Sequence, residues 1–341
     1  MKRIQRAVLL SLTALFIITQ AGCARKTQEP VVRQSFYFDT VCSIAVYDMA
    51  EMDEEKANAA IDAAFQLCSH YESLLSRTKE GTDIYRINQA QGAPIECDPE
   101  TIRVIEKGLY YSELSGGVFD ITIGKVSDLW DFHAEEPEVP SEEALQEACD
   151  TVGWEKVQIE GNTVTLTDPH THLDLGGIAK GYIADRVGEN LMENGVTSAI
   201  ISLGGNVSCI GDKHEDGQET PFKIGVEKPY SQESEIVGIV EASDETVVTS
   251  GVYQRYFEED GVQYHHILNA ATGYPAQTDI VGVTLKAPKG ESADCDALAT
   301  IYLILGSEKA MALAKENDEA IFLILSDGSF MSTEAMGFEA K

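Results

Sequence analysis

The apolar residues follow two different patterns along this chain, and the change of pattern is the strongest constraint on its fold. Residues 53–75 carry apolar side chains at helical spacing, and residues 99–114 repeat that spacing after Asp98, a good helix-capping residue. Beyond residue 150, short runs rich in β-branched residues alternate with turn residues, as at Glu160-Gly161-Asn162. The sum predicts an α+β (mixed α/β) fold with mixed β-sheets and flanking helices.

The remaining segments fit a single domain at residues 34–341. Strands are predicted at 34–47, 157–159, 163–167, 199–203, 222–226, 236–241, 263–268, 280–285 and 320–325. Further helices are predicted at 141–149, 178–192, 295–305 and 307–315. Residues 133–140, rich in acids and proline, are predicted to form a surface loop, and neither an internal repeat nor a long linker divides the chain.

Composition narrows the class of protein. The chain has 341 residues, of which 43% are apolar and 24% charged, as in a folded globular protein. This balance excludes a disordered tail, a collagen-like fibre and a multi-pass membrane protein. The formal net charge of −32 argues against nucleic acid as a partner, because an acidic surface repels its phosphates. An anionic ligand would therefore need a metal ion, a lysine or a group of backbone amides.

The first 22 residues have the features of an export signal. Residues 1–6 are positively charged, residues 7–19 are uncharged and mostly apolar, and small residues precede Cys23. This arrangement resembles a bacterial lipoprotein signal. The resemblance implies a lipidated Cys23, a tether at residues 23–33 and a lipid-anchored position on the extracytoplasmic face of the cell membrane. An ordinary signal peptide cut nearby and a short uncleaved anchor are the alternatives.

The six other cysteines indicate neither a zinc site nor a redox motif. They include no CxxC pair, which argues against a zinc ribbon and a thioredoxin-type site. An even number in an exported protein could form disulfides. Cys42, Cys68 and Cys209 lie in apolar surroundings, however, which favours buried free thiols.

Double glycines at 116–117, 176–177 and 204–205 mark places where the backbone can approach a ligand closely. Val118-Phe119-Asp120 follows the first pair and brings an aromatic ring and a carboxylate just past a turn. Lys180 follows the second pair in the first turn of a predicted helix, a pattern typical of an anion site. Tight turns are the structural alternative at each pair. The chain has no GxGxxG, Walker A, GxSxG or HExxH motif.

Two acidic positions could contact a ligand. Asp174 lies between two leucines, so its carboxylate is expected to be partly buried, where it could cap the next turn or touch a ligand. Asp296 and Thr300 are four residues apart and share one face of a predicted helix. A carboxylate and a hydroxyl at this spacing suit Mg²⁺, although an aspartate near a helix start is also a common cap.

Histidines offer two further possibilities. His265 and His266 are adjacent in a predicted strand, and a histidine can act as a general base near pH 7. The alternative is that the two rings simply alternate between core and solvent. His170 and His172 form an HxH pair that could belong to a metallohydrolase, but no clear set of further histidine ligands accompanies it.

These segments, in this order, resemble one family, the FAD:protein FMN transferases (ApbE flavin-trafficking lipoproteins). The resemblance runs from about residue 36 to the C-terminus and is carried by residues 115–120, 174–182, 203–206, 250–255, 266–275 and 293–300. It implies an enzyme that binds FAD and, with Mg²⁺, transfers FMN to a threonine hydroxyl of an acceptor protein and releases AMP. An FAD diphosphatase on the same fold and a non-catalytic flavin-binding lipoprotein are the alternatives.

The resemblance also implies a role for each matched residue. The expected FAD contacts are Val118, Phe119, Asp120, Asp174, Lys180 and Ile267. The expected Mg²⁺ ligands are the Asp296 carboxylate, the Thr300 hydroxyl and the main-chain carbonyl of Gly177. His266 is the expected catalytic base, which would take the threonine proton.

Two segments depart from the family pattern. Phe38-Asp39-Thr40 stands where the family usually has Met-Gly-Thr. Asn269-Ala270 stands where it usually has Asp-Pro, so this position keeps a side-chain acceptor but loses a charge.

Overall fold

The computed structural model describes residues 29–341 except 52, 133, 216–217 and 232–234. The expected signal peptide at 1–22, Cys23 and most of the expected tether lie outside the described residues. Within the described part, no helix combines the length and the apolar character needed to cross a membrane.

Helices and strands are numbered here in chain order. The helices are α1 Glu54–Leu75, α2 Asp83–Gln89, α3 Pro99–Leu114, α4 Gly124–Trp130, α5 Glu142–Cys149, α6 Ala179–Glu193, α7 Ser292–Leu305 and α8 Ser307–Glu316. The strands are β1 Val31–Tyr37, β2 Thr40–Met49, β3 Ile95–Glu96, β4 Val157–Glu160, β5 Thr163–Leu166, β6 Val196–Leu203, β7 Asn206–Ile210, β8 Lys213–Glu215, β9 Gln218–Thr220, β10 Phe222–Glu227, β11 Ile236–Ala242, β12 Glu245–Gly251, β13 Tyr256–Glu259, β14 Val262–His265, β15 Ile280–Pro288, β16 Ala320–Leu325, β17 Phe330–Ser332 and β18 Phe338–Ala340.

The largest sheet of the described residues has the strand order β1-β2-β6-β7-β12-β15-β16-β17, and its neighbours pair antiparallel. Helices α1, α6 and α7 pack against one face and form the main apolar core with it. The small sheet β10-β11-β18 covers part of the other face, where Phe222 and Val240 meet Val247 and Phe322. The expected α+β class with flanking helices is confirmed.

The cap predicted at Asp98 is confirmed, and Asp53, predicted as the first residue of its helix, is a cap as well. Asp53 and Asp98 precede α1 and α3, and their carboxylates accept hydrogen bonds from the main-chain amides of Glu55 and Glu100. The six cysteines among the described residues are free thiols, as the apolar sequence surroundings of three of them favoured.

Several predicted boundaries are wrong. The single strand predicted at 34–47 is a hairpin of β1 and β2, turned at Phe38-Asp39, and β1 begins at Val31, inside the expected tether. Helices α2 and α4 were not predicted, because seven residues are too short for helical spacing to be visible. Helix α7 begins at Ser292 rather than at 295, so Asp296 lies inside the helix.

Helix α6 crosses α7 at a contact that requires glycine. A Cβ atom at Gly181 would lie 2.2 Å from the main-chain oxygen of Ser292. The amide of Gly181 donates to Asp296 Oδ2 across the same contact, at 3.0 Å. One turn further along α6, the Asp185 carboxylate accepts from the amides of Ser292 and Ala293 and so caps α7. These contacts fix where Asp296 lies relative to the first turn of α6.

We predict that Gly181→Ala destabilises the domain by roughly 1–3 kcal/mol, because the added methyl group overlaps main-chain atoms of α7. Gly188→Ala is the matched control on the same helix, where a Cβ would meet only the Ile201 side chain at 3.6 Å. Alanine there should be neutral or favourable by up to about 1 kcal/mol, because it is the better helix former. Urea unfolding measures both variants, and equal stabilities would contradict the tight crossing.

Candidate active site

One cleft, with a volume of about 1350 Å³, collects the residues that the sequence analysis selected. These residues are Val118, Phe119, Asp120, Asp174, Gly177, Lys180, His266, Ile267, Asp296 and Thr300. They come from the loop after α3, the segment that leads into α6, the segment after β14, and α7. The fold therefore brings together segments that are far apart in the chain.

The Asp296 carboxylate is buried in this cleft, with 2% of the residue exposed. Its Oδ2 atom accepts from the Gly181 amide and lies 3.9 Å from Lys180 Nζ. Its Oδ1 atom accepts from Asn206 Nδ2 at 3.4 Å. Because Asp185 caps α7 and Asp296 lies in the second turn of that helix, Asp296 does not cap its own helix, and its bond to the Gly181 amide is made to the first turn of α6. A buried carboxylate with one nearby ammonium group suits a cation or a polar ligand.

Thr300 and Gly177 lie on the same side of the cleft as Asp296. Thr300 follows Asp296 by one helical turn, and its hydroxyl is 3.4 Å from the Asp296 main-chain oxygen. A Cβ atom at Gly177 would lie 3.4 Å from Thr300 Oγ1 and 2.8 Å from Phe119 Cε2. Glycine at 177 therefore allows the main chain to pass close to the threonine hydroxyl and the aromatic ring.

These oxygen atoms fit Mg²⁺ by their chemistry. A carboxylate, a hydroxyl and a main-chain carbonyl are hard ligands, and Mg²⁺ typically takes one or two carboxylates and completes its shell with water and substrate phosphate. Within the described residues, no group of three or more His, Cys, Asp or Glu side chains could hold a metal ion. The buried Oδ1 atom of Asn206 has no hydrogen-bond partner among the described residues, although the Nδ2 atom of the same side chain donates to Asp296. These protein oxygens thus suit an ion whose coordination shell is completed by a phosphate ligand.

His266 is held in its neutral form, with one ring nitrogen able to accept a proton. Its Nδ1 atom lies 3.2 Å from the main-chain oxygen of Arg255, and its own amide donates to that oxygen at 3.1 Å. Because a carbonyl oxygen only accepts, Nδ1 carries the ring proton and Nε2 keeps its lone pair. Burial, reinforced by the Arg255 guanidinium, lowers the pKa of His266 from 6.5 to about 3.

His265 has a structural role instead. Its Nε2 atom lies 3.1 Å from the Ala276 main-chain oxygen, and its Nδ1 atom accepts from the Ile267 amide at 3.3 Å. Burial lowers the pKa of His265 to about 4, so this ring is also neutral near pH 7. The pair is therefore divided between a core residue and a residue that lines the cleft.

Asp174 both caps a turn and lines the cleft. Its Oδ1 atom accepts from the Gly176 amide at 2.8 Å, and its Oδ2 atom lies 3.2 Å from Arg77 Nε. Arg77 also pairs with Asp128, whose second oxygen lies 3.0 Å from His172 Nδ1. Burial acts to lower the pKa of Arg77, but the nearby carboxylates of Asp174 and Asp128 outweigh it and raise that pKa.

Arg77 is a cleft residue that the sequence analysis missed. Arg77 directly follows α1 and its capping Ser76, and no motif in the sequence connects it with Asp174. The HxH histidine His172 pairs with Asp128 in this network, and the described residues contain no metal cluster around it.

Asp120 and Lys180 also bond to the protein itself. One Asp120 oxygen accepts from the amide and hydroxyl of Thr122, and the other accepts from the Trp154 amide at 3.0 Å. The ammonium group of Lys180 donates to the Gly176 main-chain oxygen at 3.2 Å. Asp120 therefore orders the loop that carries Phe119, while Lys180 stays close to the Asp296 carboxylate.

The two departures from the family pattern have local explanations. Phe38 and Asp39 have φ angles of 55° and 56°, the left-handed conformation at both central positions of a two-residue hairpin turn. The Asn269 side chain accepts from the Ala271 amide at 2.9 Å, so an uncharged acceptor is sufficient for that turn.

Hard oxygen ligands, a lysine and a neutral histidine in one cleft define an enzyme site suited to a phosphate-containing substrate. The family model described as "ApbE family" matches residues 38–324, and the chain belongs to that family. The expected resemblance is thereby confirmed.

Individual relatives agree with this assignment. The FAD:protein FMN transferase of Treponema pallidum is 35% identical over 298 residues, which cover 83% of this chain and 81% of that protein. The Vibrio cholerae protein of the same name is 29% identical, with 97% of each chain covered. The crystal structure of the ApbE protein from Thermotoga maritima is 29% identical and aligns with a TM-score of 0.81 over 91% of this chain and 98% of that one. Flavin transferase ApbE from Vibrio cholerae is 27% identical and aligns with a TM-score of 0.79 over the same shares.

We predict that the ring signals of His265 and His266 do not titrate between pH 8 and 5 in an NMR pH series, because burial holds both pKa values near 3 to 4. An unfolded chain protonates these rings near pH 6.5. The stability that they contribute is therefore complete above about pH 6.5 and is lost as the pH falls toward the folded-state values. A His266→Gln variant assigns the signal, and a midpoint near 6.5 for that signal would contradict the burial of the ring.

Proposed function

We propose that this chain is an FAD:protein FMN transferase. It transfers the FMN part of FAD to a threonine hydroxyl of an acceptor protein and releases AMP. The observation that carries the proposal is the convergence of a neutral His266 and the oxygens of Asp296, Thr300 and Gly177 in one cleft. The names of the relatives support the same reaction.

The acidity of the chain requires local charge compensation for a diphosphate. Lys180 supplies one positive charge in the cleft, beside Asp296. The N-terminus of α6 adds a positive potential, although the Gly181 amide in its first turn is already bonded to Asp296 Oδ2. Asp296, Thr300 and Gly177 would hold Mg²⁺, which supplies charge neutralisation to the diphosphate when bound.

The reaction is a displacement at phosphorus. The threonine oxygen forms a bond to the FMN phosphorus, and the bond from that phosphorus to the bridging oxygen breaks. AMP leaves with the bridging oxygen, and the threonine proton passes to Nε2 of His266. Because the Nδ1 proton of His266 faces the main-chain oxygen of Arg255, Nε2 keeps a free lone pair that can accept this proton. Most of the remaining rate enhancement would come from positioning and charge stabilisation.

We also propose that the protein is exported and anchored by a lipid on Cys23, on the extracytoplasmic side. The charged, apolar and small-residue segments before Cys23 support this location. The acceptor would then be an exported or membrane redox protein. A Cys23→Ser variant should no longer carry a lipid, as read from the mass of its N-terminal peptide, and a mass that still includes the lipid would contradict anchoring there.

The function is tested by incubating the full-length protein in detergent with FAD, with and without Mg²⁺, and with an extract of cells that lack this chain. AMP is followed by chromatography, and covalent FMN by its fluorescence in denaturing gels. Mg²⁺-dependent AMP together with a fluorescent protein band is the expected result. AMP and free FMN without a band would indicate a diphosphatase, and bound FAD without products would indicate a flavin carrier.

We predict that Asp296→Asn lowers Mg²⁺-dependent AMP release by roughly 10²-fold or more, because it removes the one carboxylate of the expected metal site. Asp294→Asn is the matched control on the same helix, since Asp294 pairs with Lys107 and Tyr111 and does not line the cleft. Wild-type AMP release by Asp296→Asn would exclude the metal assignment.

We predict that His266→Ala keeps FAD affinity but slows transfer by about 10²–10⁴-fold, the usual contribution of a general base. His170→Ala is the control, since His170 is exposed and does not line the cleft. Equilibrium FAD binding and single-turnover transfer separate the two effects. A normal transfer rate would remove His266 from the proposed mechanism.

A further inference from the structure

Strand β1 is an open edge of the largest sheet. It begins the strand order, and in the described part of the chain no strand pairs with its outer side. Such an edge presents unpaired N–H and C=O groups and is a ready template for another polypeptide. Proteins usually protect such edges with proline, lysine or a bulge, and β1 contains none of these in its sequence Val-Val-Arg-Gln-Ser-Phe-Tyr.

The register of the hairpin shows which main-chain groups face outward. Tyr37 and Thr40 are partners on either side of the two-residue turn, so they form the hydrogen-bonded pair that closes it. Bonded and non-bonded pairs alternate along an antiparallel ladder. The N–H and C=O groups of Phe36, Gln34 and Val32 therefore point away from β2, toward the open edge.

The side chains beside this edge are apolar and exposed. Val32 is 51% exposed and Phe36 is 66% exposed, and Val41, the direct cross-strand partner of Phe36, is 56% exposed. The opposite face of β1 is occupied, since Arg33 contacts Asp62 on α1. The free edge thus combines unpaired peptide groups with an apolar strip, the two features that strand addition uses for affinity and specificity.

This edge also leads into the cleft. Phe38, Asp39 and Thr40, which follow β1 directly, line the cleft together with His266. A chain that pairs with β1 and continues past Tyr37 would reach the cleft within three or four residues, roughly 10–13 Å.

We propose that the acceptor protein docks by adding an extended segment to β1, with its threonine a few residues beyond the paired part. This inference rests on the proposed transferase function, because that reaction requires a protein hydroxyl in the cleft. A polypeptide is favoured over a lipid surface because the outward peptide groups alternate at the spacing of a β-ladder. It is favoured over a second copy of this chain because the edge ends at the cleft.

Gln34→Pro tests the docking directly. It removes one outward N–H group without touching the ladder to β2, and proline is tolerated at such an edge position. Gln34→Ala is the matched control that keeps the N–H group. Phe36→Ser is a second variant that shortens the apolar strip, and because Phe36 is mostly exposed it leaves the core intact.

The assay uses the full-length protein, FAD, Mg²⁺ and a pool of twelve-residue peptides with one threonine at a fixed position and random flanks. FMN-peptide adducts are counted by mass spectrometry, and AMP release without peptide is measured in parallel. We expect Gln34→Pro and Phe36→Ser to lower peptide transfer about fivefold or more, the effect of a lost hydrogen bond in the first variant and of lost apolar contact in the second, with AMP release unchanged. Gln34→Ala should match the wild type.

Three results would overturn the docking proposal. The first is normal peptide transfer by Gln34→Pro and Phe36→Ser. The second is a wild-type protein that attaches FMN to a protein of the cell extract but modifies no peptide. The third is a concentration-dependent dimer, seen by sedimentation and lost in Gln34→Pro, which would assign the edge to a second copy. Absence of covalent FMN on both the peptides and the extract proteins in the wild type would instead refute the proposed function itself.

Discussion

The crossing of α6 and α7 at Gly181 is the contact on which the site depends. The absence of a side chain at 181 lets the two backbones approach until the Gly181 amide bonds to Asp296 Oδ2. The same approach places Lys180 within 3.9 Å of that carboxylate. Asp185 holds the first residues of α7 against α6 and so determines where Asp296 lies along the cleft. Any larger residue at 181 would separate the charges that the site combines.

The charge distribution explains how so acidic a chain can hold an anionic substrate. Repulsion from a net charge of −32 acts over the whole surface and is screened by salt. Lys180 and the N-terminus of α6 act at short range inside a cleft, where screening is weaker. Asp296 adds negative charge to the same place, which is favourable only if a cation shares it. A diphosphate bound with Mg²⁺ would pair the metal ion with the Asp296 carboxylate and a phosphate with the Lys180 ammonium group.

Much of this site was predictable from the sequence, because its residues sit in local patterns. The Asp296–Thr300 spacing and the Gly176-Gly177 turn before Lys180 each indicate a possible ligand contact within a few residues, whereas the choice of His266 over His265 came from the family resemblance. The capping residue Asp98 indicated the start of α3 in the same way. Contacts between residues that are far apart in the sequence leave no such local pattern. Arg77 meets Asp174 only after folding, and α2 and α4 are too short to show a period.

The family assignment and the site geometry converge on one central claim, that the oxygens of Asp296, Thr300 and Gly177 hold Mg²⁺ against the diphosphate of FAD while His266 faces the attacking hydroxyl. A crystal structure of the His266→Ala protein with FAD and Mg²⁺ tests it most directly. We expect one ion at about 2.1 Å from these oxygens and from a phosphate oxygen. The space left by the imidazole should then open toward the FMN phosphorus. A diphosphate bound away from Asp296, or on the far side of the cleft from position 266, would contradict it.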